Sequence, residues 1–195
     1  MTKKAEQSLA TRGKLIKVAR ALFGKRGFAG TSIEEVTRRA KVTRGALYHH
    51  FPGKEALFQA VFEQVEDELT ERIVAAGAGE QRADKRLLAG LDAFLDACLD
   101  QELRQIGLLD APAVLGWQKW HDIDAEHTLG LLRLSLEAAM DSGDVAKQPV
   151  EPLAQLILGA CNEAGQAIAR ADDVAAARRA YGKSLSRLIE GLGPR

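Results

Sequence analysis

The stretch KVTRGALYHHFPGKEALF, Lys41–Phe58, decides how this chain is read. Lys41-Val42 has the look of a turn, and Thr43 stands where a helix N-cap would. Leu47, followed by Phe51, gives a short helix over about 44–50 an apolar side. Pro52-Gly53 then breaks it, and Lys54 opens a new helix. Arg44, Tyr48, His49 and His50 crowd the same short element, with Gly45 among them. Glycine in a helix interior costs roughly 1 kcal/mol against alanine. Its use here points to a backbone that another molecule must approach closely.

Working outward, Leu15, Ile16, Ala19, Leu22 and Phe23 line one face of a first helix over roughly 9–26, which Gly27 stops. Thr31 or Ser32 caps a short second helix with Glu34 and Glu35 in its first turn, where the helix dipole favours anions. Ile33, Val36 and Ala40 form its inner face. Two short helices joined by a tight turn and leaning on a longer one make a helix-turn-helix. With Leu47 and Phe51 turned inward, the opposite side of the third helix is free to enter a major groove, which is wide enough for one helix. Arg44 near the helix start can offer paired donors to a guanine edge, while Tyr48, His49 and His50 suit phosphates and sugars. Lys54 opens a helix whose free N–H groups also attract phosphate.

Charge supports a polyanion partner. The chain of 195 residues has zero net charge, yet residues 1–56 hold 13 basic and 4 acidic side chains and the remainder holds 14 and 23. The front is therefore +9 and the rest −9.

These residues resemble the TetR (tetracycline-repressor-like) family of transcriptional regulators. The likeness covers roughly Leu15 to Phe62, through ARALFGKRGFAGTSIEEV and, most specifically, GALYHHFPGKEAL. It implies DNA contact by Thr31, Ser32, Arg44, Gly45, Tyr48, His50 and Lys54, with His49 in addition and Thr43 grouped with them as the cap. Two positions depart from the family pattern. Thr37 stands where alanine is usual, and Lys41 where glycine is usual at the turn. A positive φ there would carry a small strain in lysine.

The chain is accordingly expected to be all-α: a three-helix DNA-binding head over 1–53 and a larger helical effector-binding and dimerisation body over 54–195. In the body, helices are expected from about 54 to 76 and near 81–100, 102–109, 122–141, 151–171 and 173–192. GAGE at 77–80, DAPAVLGW at 110–117 and SGDVAKQP at 142–149 break the pattern. Leu57, Val61, Val65 and Leu69 recur at spacing four along the helix that leads out of the head.

The resemblance implies that the body binds a small effector and dimerises. Phe94, Leu108, Trp117 and Trp120 are candidate pocket residues, set against the plainer reading of ordinary core. Gln155, Gly159, Asn162 or Glu163, and Gln166 form a polar stripe that could face solvent, a ligand or a partner helix; Asn162 and Gln166 join the effector candidates. Small residues Ala160, Ala164 and Ala167, with Tyr181, Leu185 and Leu188 on the last helix, are the candidate homodimer interface. HDIDAEH, His121–His127, reads as a charged helix start, since its histidines are six apart rather than the four of a zinc-binding helix.

No metal or cofactor is called for, and no nucleophile elbow, phosphate-cradling loop or acid/base pair suggests an enzyme. No apolar run reaches the ~18 residues of a membrane span. Lys14, Lys17 and Arg20 interrupt any leader-like segment, and Cys98 and Cys161 read as buried thiols, so a cytoplasmic setting is expected. The function expected is a ligand-responsive regulator, most simply a repressor that binds a palindromic double-stranded operator as a dimer and is released by an apolar or amphipathic effector. The competing reading is an all-helical small-molecule carrier without a DNA role.

Overall fold

The computed structural model describes residues 3–193, and no strand occurs among them. The elements are α1 (Lys3–Arg26), α2 (Ile33–Ala40), α3 (Arg44–His50), α4 (Lys54–Gly77), α5 (Ala83–Ala97), α6 (Gln101–Leu103), a π-helical segment (Arg104–Asp110), α7 (Ala111–Leu115), α8 (Trp117–Asp141), α9 (Val150–Arg170) and α10 (Val174–Glu190). The chain divides into two compact units. One runs from α1 to Val65 and takes in Gln101–Trp117; the other comprises Glu66–Asp100 and the chain from Gln118 onward.

The first unit is built on the apolar periodicity expected of it. Leu15, Ile16, Ala19, Leu22 and Phe23 of α1, Ile33, Val36 and Ala40 of α2, Leu47 and Phe51 beside α3, and Leu57 and Val61 of α4 are all buried. Phe23, Phe28 and Phe58 form an aromatic cluster with ring centroids 5.2–5.9 Å apart. α1 ends at Gly27, whose φ of 71° suits a residue without Cβ. Ser32 caps α2 by accepting from the Glu35 N–H, and Thr43 caps α3 by accepting from the Ala46 N–H. Each such cap contributes roughly 1 kcal/mol.

The turn between α2 and α3 has the positive φ that a glycine would suit. Lys41 sits at φ 54°, ψ 46°, with its N–H donating to the Arg38 carbonyl and that of Val42 to the Thr37 carbonyl. This is a Schellman C-cap, built here without glycine. The Thr37 hydroxyl, buried in α2, donates back to the Ile33 carbonyl at 3.0 Å, so the departure from alanine leaves no unsatisfied donor.

Residues 101–117, assigned to the body by sequence, pack with the first unit. Arg20 of α1 meets Glu102 at 2.7 Å, and Gly24 lies so close that a Cβ there would come within 2.8 Å of the Glu102 side chain. The stretch also differs from the single helix expected over 102–109. Three residues of α-helix widen into a π-helix, which passes into α7, so DAPAVLGW does not break the chain at Asp110. Pro112 stands where the π-helix passes into α7, and it has no N–H to continue the ladder there. The break comes at Gly116, with φ 81°.

In the second unit α5, α9 and α10 pack together. Arg178 of α10 reaches α5, donating to the Asp92 and Asp96 carboxylates at 2.8 Å each. α8 begins at Trp117, not near 122, so HDIDAEH lies inside the helix rather than at its start. Asp124 within it is buried. The polar stripe of α9 splits likewise. Gln155 and Glu163 face solvent, whereas Asn162 and Gln166 are buried.

Candidate nucleic-acid interface and effector cavity

α3 presents its polar residues outward. Ser32, Thr43, Arg44, Gly45, Tyr48 and His49 are exposed, and His50 is half-buried against His49 and Phe51. Nothing lies within 4 Å of where a Cβ on Gly45 would sit, so the backbone there is open to an incoming surface. Arg44 and Tyr48 stand one turn apart on one face. The guanidinium is 3.1 Å from Glu34, within hydrogen-bonding reach of the Tyr48 hydroxyl at 3.4 Å, and 5.6 Å from the Tyr48 ring centroid. The hydrogen bond to Tyr48 and the Glu34 charge raise the pKa of Arg44. These contacts hold the side chain across the exposed face while keeping its donors accessible.

Two residues sit differently from the others that the resemblance assigns to DNA. Thr31 is 2% exposed and its hydroxyl donates to the Gly27 carbonyl at 2.9 Å, a bond that ties down the turn after α1. Lys54 is half-buried, its ammonium 4.0 Å above the Phe28 ring. Burial lowers its pKa, and the nearby Asp110 carboxylate opposes the shift. Asp110, which sequence reading passed over, accepts the Phe28 N–H at 2.7 Å from the end of the π-helix. Only its place before Pro112 marked it, as a turn residue, and its partner lies 82 positions away.

The second unit contains a cavity of about 330 Å³. Its wall is mostly apolar, with Leu69, Ile73, Leu87, Leu91, Phe94, Leu131 and Leu158, and its polar members include Asp124, Thr128, Ser135, Cys161 and Asn162. Such a size and lining suit a small organic ligand. Of the effector candidates, Phe94 and Asn162 line it. The structure places the others elsewhere: Leu108 is buried on the π-helix of the first unit, Trp117 is 61% exposed, and Trp120 and Gln166 are buried outside the lining set.

Asp124 accepts from the Asn162 amide at 2.6 Å, and burial raises its pKa against that hydrogen bond and the nearby His121 and His127. Burial, with Asp124 and Asp67 adding like charge, pushes Glu66 up to about 8. The Cys161 thiol is pushed up to about 12, also by burial first and then by Asp124. It is thus a neutral thiol in the wall. Asp124 was visible in sequence only as one acid among several in HDIDAEH.

Among the interface candidates, Ala164 and Leu185 are buried within the chain, and Ala160 and Ala167 are half-buried. Tyr181 and Leu188 are exposed, Leu188 at 62%, and Leu156 of α9 is exposed at 72%.

An exposed, basic helix-turn-helix and a largely apolar cavity in one all-helical chain define a ligand-responsive DNA-binding regulator. Comparison with known proteins agrees. Residues 15–61 match the family of bacterial regulatory proteins of the tetR type, and residues 85–192 match the tetracyclin repressor-like C-terminal domain. A TetR-family transcriptional regulator from Pectobacterium atrosepticum has the same fold with a TM-score of 0.89 and 32% identity, covering 100% of this chain and 99% of that one. The Tn10 TetC protein of Escherichia coli is 24% identical over 79% of this chain and 78% of its own length. The transcriptional regulator CymR of Pseudomonas putida is 38% identical over 50% of this chain and 48% of its own. The chain belongs to the TetR family of transcriptional regulators. It is a DNA-binding regulator and not an enzyme, and the carrier reading is not favoured. No helix among the described residues is long and apolar enough to cross a membrane.

Proposed function

We propose that this regulator is a cytoplasmic repressor that binds a palindromic operator as a homodimer and leaves it when a small apolar or amphipathic molecule fills the cavity. The head and body boundary near Gly53, the DNA-reading residues and the dimer face belong to the same reading. The observation that carries it is α3, whose outer face offers Arg44, Gly45, Tyr48 and His49 to a groove while Leu47 and Phe51 anchor its inner side. Arg44 reads a base edge; Tyr48 and Lys54 hold phosphates, and Ser32 and Thr43 stand at the margins. Thr31 supports the turn from within. The dimer forms through α9 and α10, with Leu156, Tyr181 and Leu188 as its apolar contacts.

Release follows from linkage. A dimer must hold two recognition helices one DNA turn apart, about 34–36 Å, or a multiple of it. α4 is covalently common to both units. A ligand preferring a body conformation that tilts α4 spoils the spacing, and only differential affinity for the two states can do so.

Comparing Arg44→Ala with Lys54→Ala tests the DNA reading. Arg44→Ala should lose on the order of 1–3 kcal/mol on the best operator and relax preference at one position per half-site. Lys54→Ala should weaken all DNA alike and reduce the salt slope by about 1 for each phosphate left without its ammonium. Binding across an operator library at two salt concentrations measures both. If Arg44→Ala weakens every sequence equally, Arg44 supplies charge and not base recognition.

A further inference from the structure

We propose that the cavity of the second unit takes a monocationic amphipath, its ammonium group held against Asp124 with the buried Glu66 carboxyl next to that aspartate, and its apolar body lying along Leu69, Leu91 and Phe94. The inference rests on the effector reading above and names the chemical class of the effector.

Among the described residues, no lysine or arginine acts on Asp124 or on the neighbouring Glu66. Asp124 lines the wall, and the Asn162 amide donates to it. Glu66 is not itself in the wall; it lies on the face of α4 that carries the lining residues Leu69 and Ile73, and near enough to Asp124 for the two carboxyls to interact. Its side chain is 5% exposed, and its Oε2 has no hydrogen-bond partner among the described residues; neither has the Thr70 hydroxyl one turn along. The groups that act on the two carboxyls are Asp67 of α4 and His121, His127 and Asn162 of α8 and α9, with the neutral Cys161 thiol beside Asp124. His127 is shared with Asp67, 3.2 Å away. Arg86, elsewhere in the wall, is exposed and donates to the Glu80 and Gln81 carbonyls.

A buried carboxyl with an unpaired oxygen is costly as an anion and stays protonated unless a positive charge arrives. Burial and the Asp124 charge hold the Glu66 proton to about pH 8, consistent with that state. An ammonium ion supplies both the missing charge and the missing donors. A carboxylate ligand would add negative charge beside Asp124, and a neutral one would not supply the charge that lets Glu66 release its proton. Binding of the cation therefore displaces protons from the pair into solvent.

The test uses one carbon frame with three heads: phenylbutylamine, phenylbutanol and phenylbutyrate, titrated calorimetrically into the full-length protein without DNA at neutral pH. The amine should bind at least about tenfold tighter than the carboxylate, a difference of about 1.4 kcal/mol or more, and tighter than the alcohol. It should also release protons, read from the dependence of the heat on buffer ionisation enthalpy. Asp124→Asn and Glu66→Gln should each erase most of the amine preference while leaving alcohol binding intact, which also reports that the variants are folded. Equal or tighter binding of the alcohol or carboxylate, a preference that survives both substitutions, or no binding by any of the three overturns the proposal. Operator affinity is measured separately. An amine that binds selectively without weakening operator binding removes the release mechanism alone, whereas release by the alcohol with no amine preference removes only the cation assignment.

Discussion

Glu66 carries a clear consequence for stability. Its carboxyl ionises near 4.5 in an unperturbed setting but near 8 in the folded chain, where burial comes first and the Asp124 and Asp67 charges follow. Between those values the folded state holds a proton that the unfolded state has lost. Stability must therefore fall as pH rises through this window, by up to about 1.4 kcal/mol per unit, and level off above it. His121 and His127 on α8 act on the neighbouring Asp124. Glu66→Gln keeps the side-chain shape and removes the titration. Urea midpoints for wild type and variant should be close at pH 5 and separate at pH 8, with the variant higher. A constant offset between the two curves at all pH values would show that Glu66 does not hold the extra proton.

At the scale of elements, the α2–α3 turn holds a small strain. Lys41 occupies the left-handed region that glycine occupies at little cost, and the backbone bonds of the C-cap do not depend on its side chain. Lys41→Gly should raise folding stability by up to about 1 kcal/mol, offset in part by the greater freedom of glycine in the unfolded chain. A denaturation midpoint at or below wild type would mean that lysine side-chain packing outweighs the backbone term.

The same turn shows what sequence made legible. Apolar spacing located α1, α2, α3 and α4 because each buries one continuous stripe, and Ser32, Thr43, Gly27 and Pro52 punctuate them by local chemistry. The region from Gln101 to Trp117 was less legible. The π-helical segment is only seven residues long, less than two turns, which is too short for its apolar period to be told from that of an α-helix by sequence. Its packing partners are Arg20, Gly24 and Phe28, some 80 positions away, and no local pattern encodes such contacts. The cavity was half legible for a similar reason. Phe94 and Asn162 stood out by residue type, but the burial of Asp124 against Asn162, 38 positions away, is a tertiary contact that no local pattern encodes.

At the scale of the whole molecule, α9 and α10 leave large apolar side chains without cover in a single chain. Leu156 and Leu188 are 72% and 62% exposed, and Tyr181 accompanies them, whereas Ala164 and Leu185 are already used inside. Exposed leucines on two adjacent packed helices are the material of a two-fold, four-helix contact. Burying them stabilises association by roughly 1.5–3 kcal/mol per fully covered side chain. The wild-type protein should therefore sediment at about twice the 21.1 kDa of one chain at micromolar concentration. The double substitution Leu156→Glu with Leu188→Glu places two charges in that contact and should give a monomer of unchanged helicity, since both side chains face solvent within the chain. The head of such a monomer retains Arg44, Tyr48 and Lys54, so weak salt-dependent binding to any duplex should survive. High-affinity binding to a palindrome should not, because one protomer spans one half-site. A monomeric variant that still binds the full operator as tightly as wild type would break the link between dimerisation and recognition; a variant that remains dimeric would place the interface on another face.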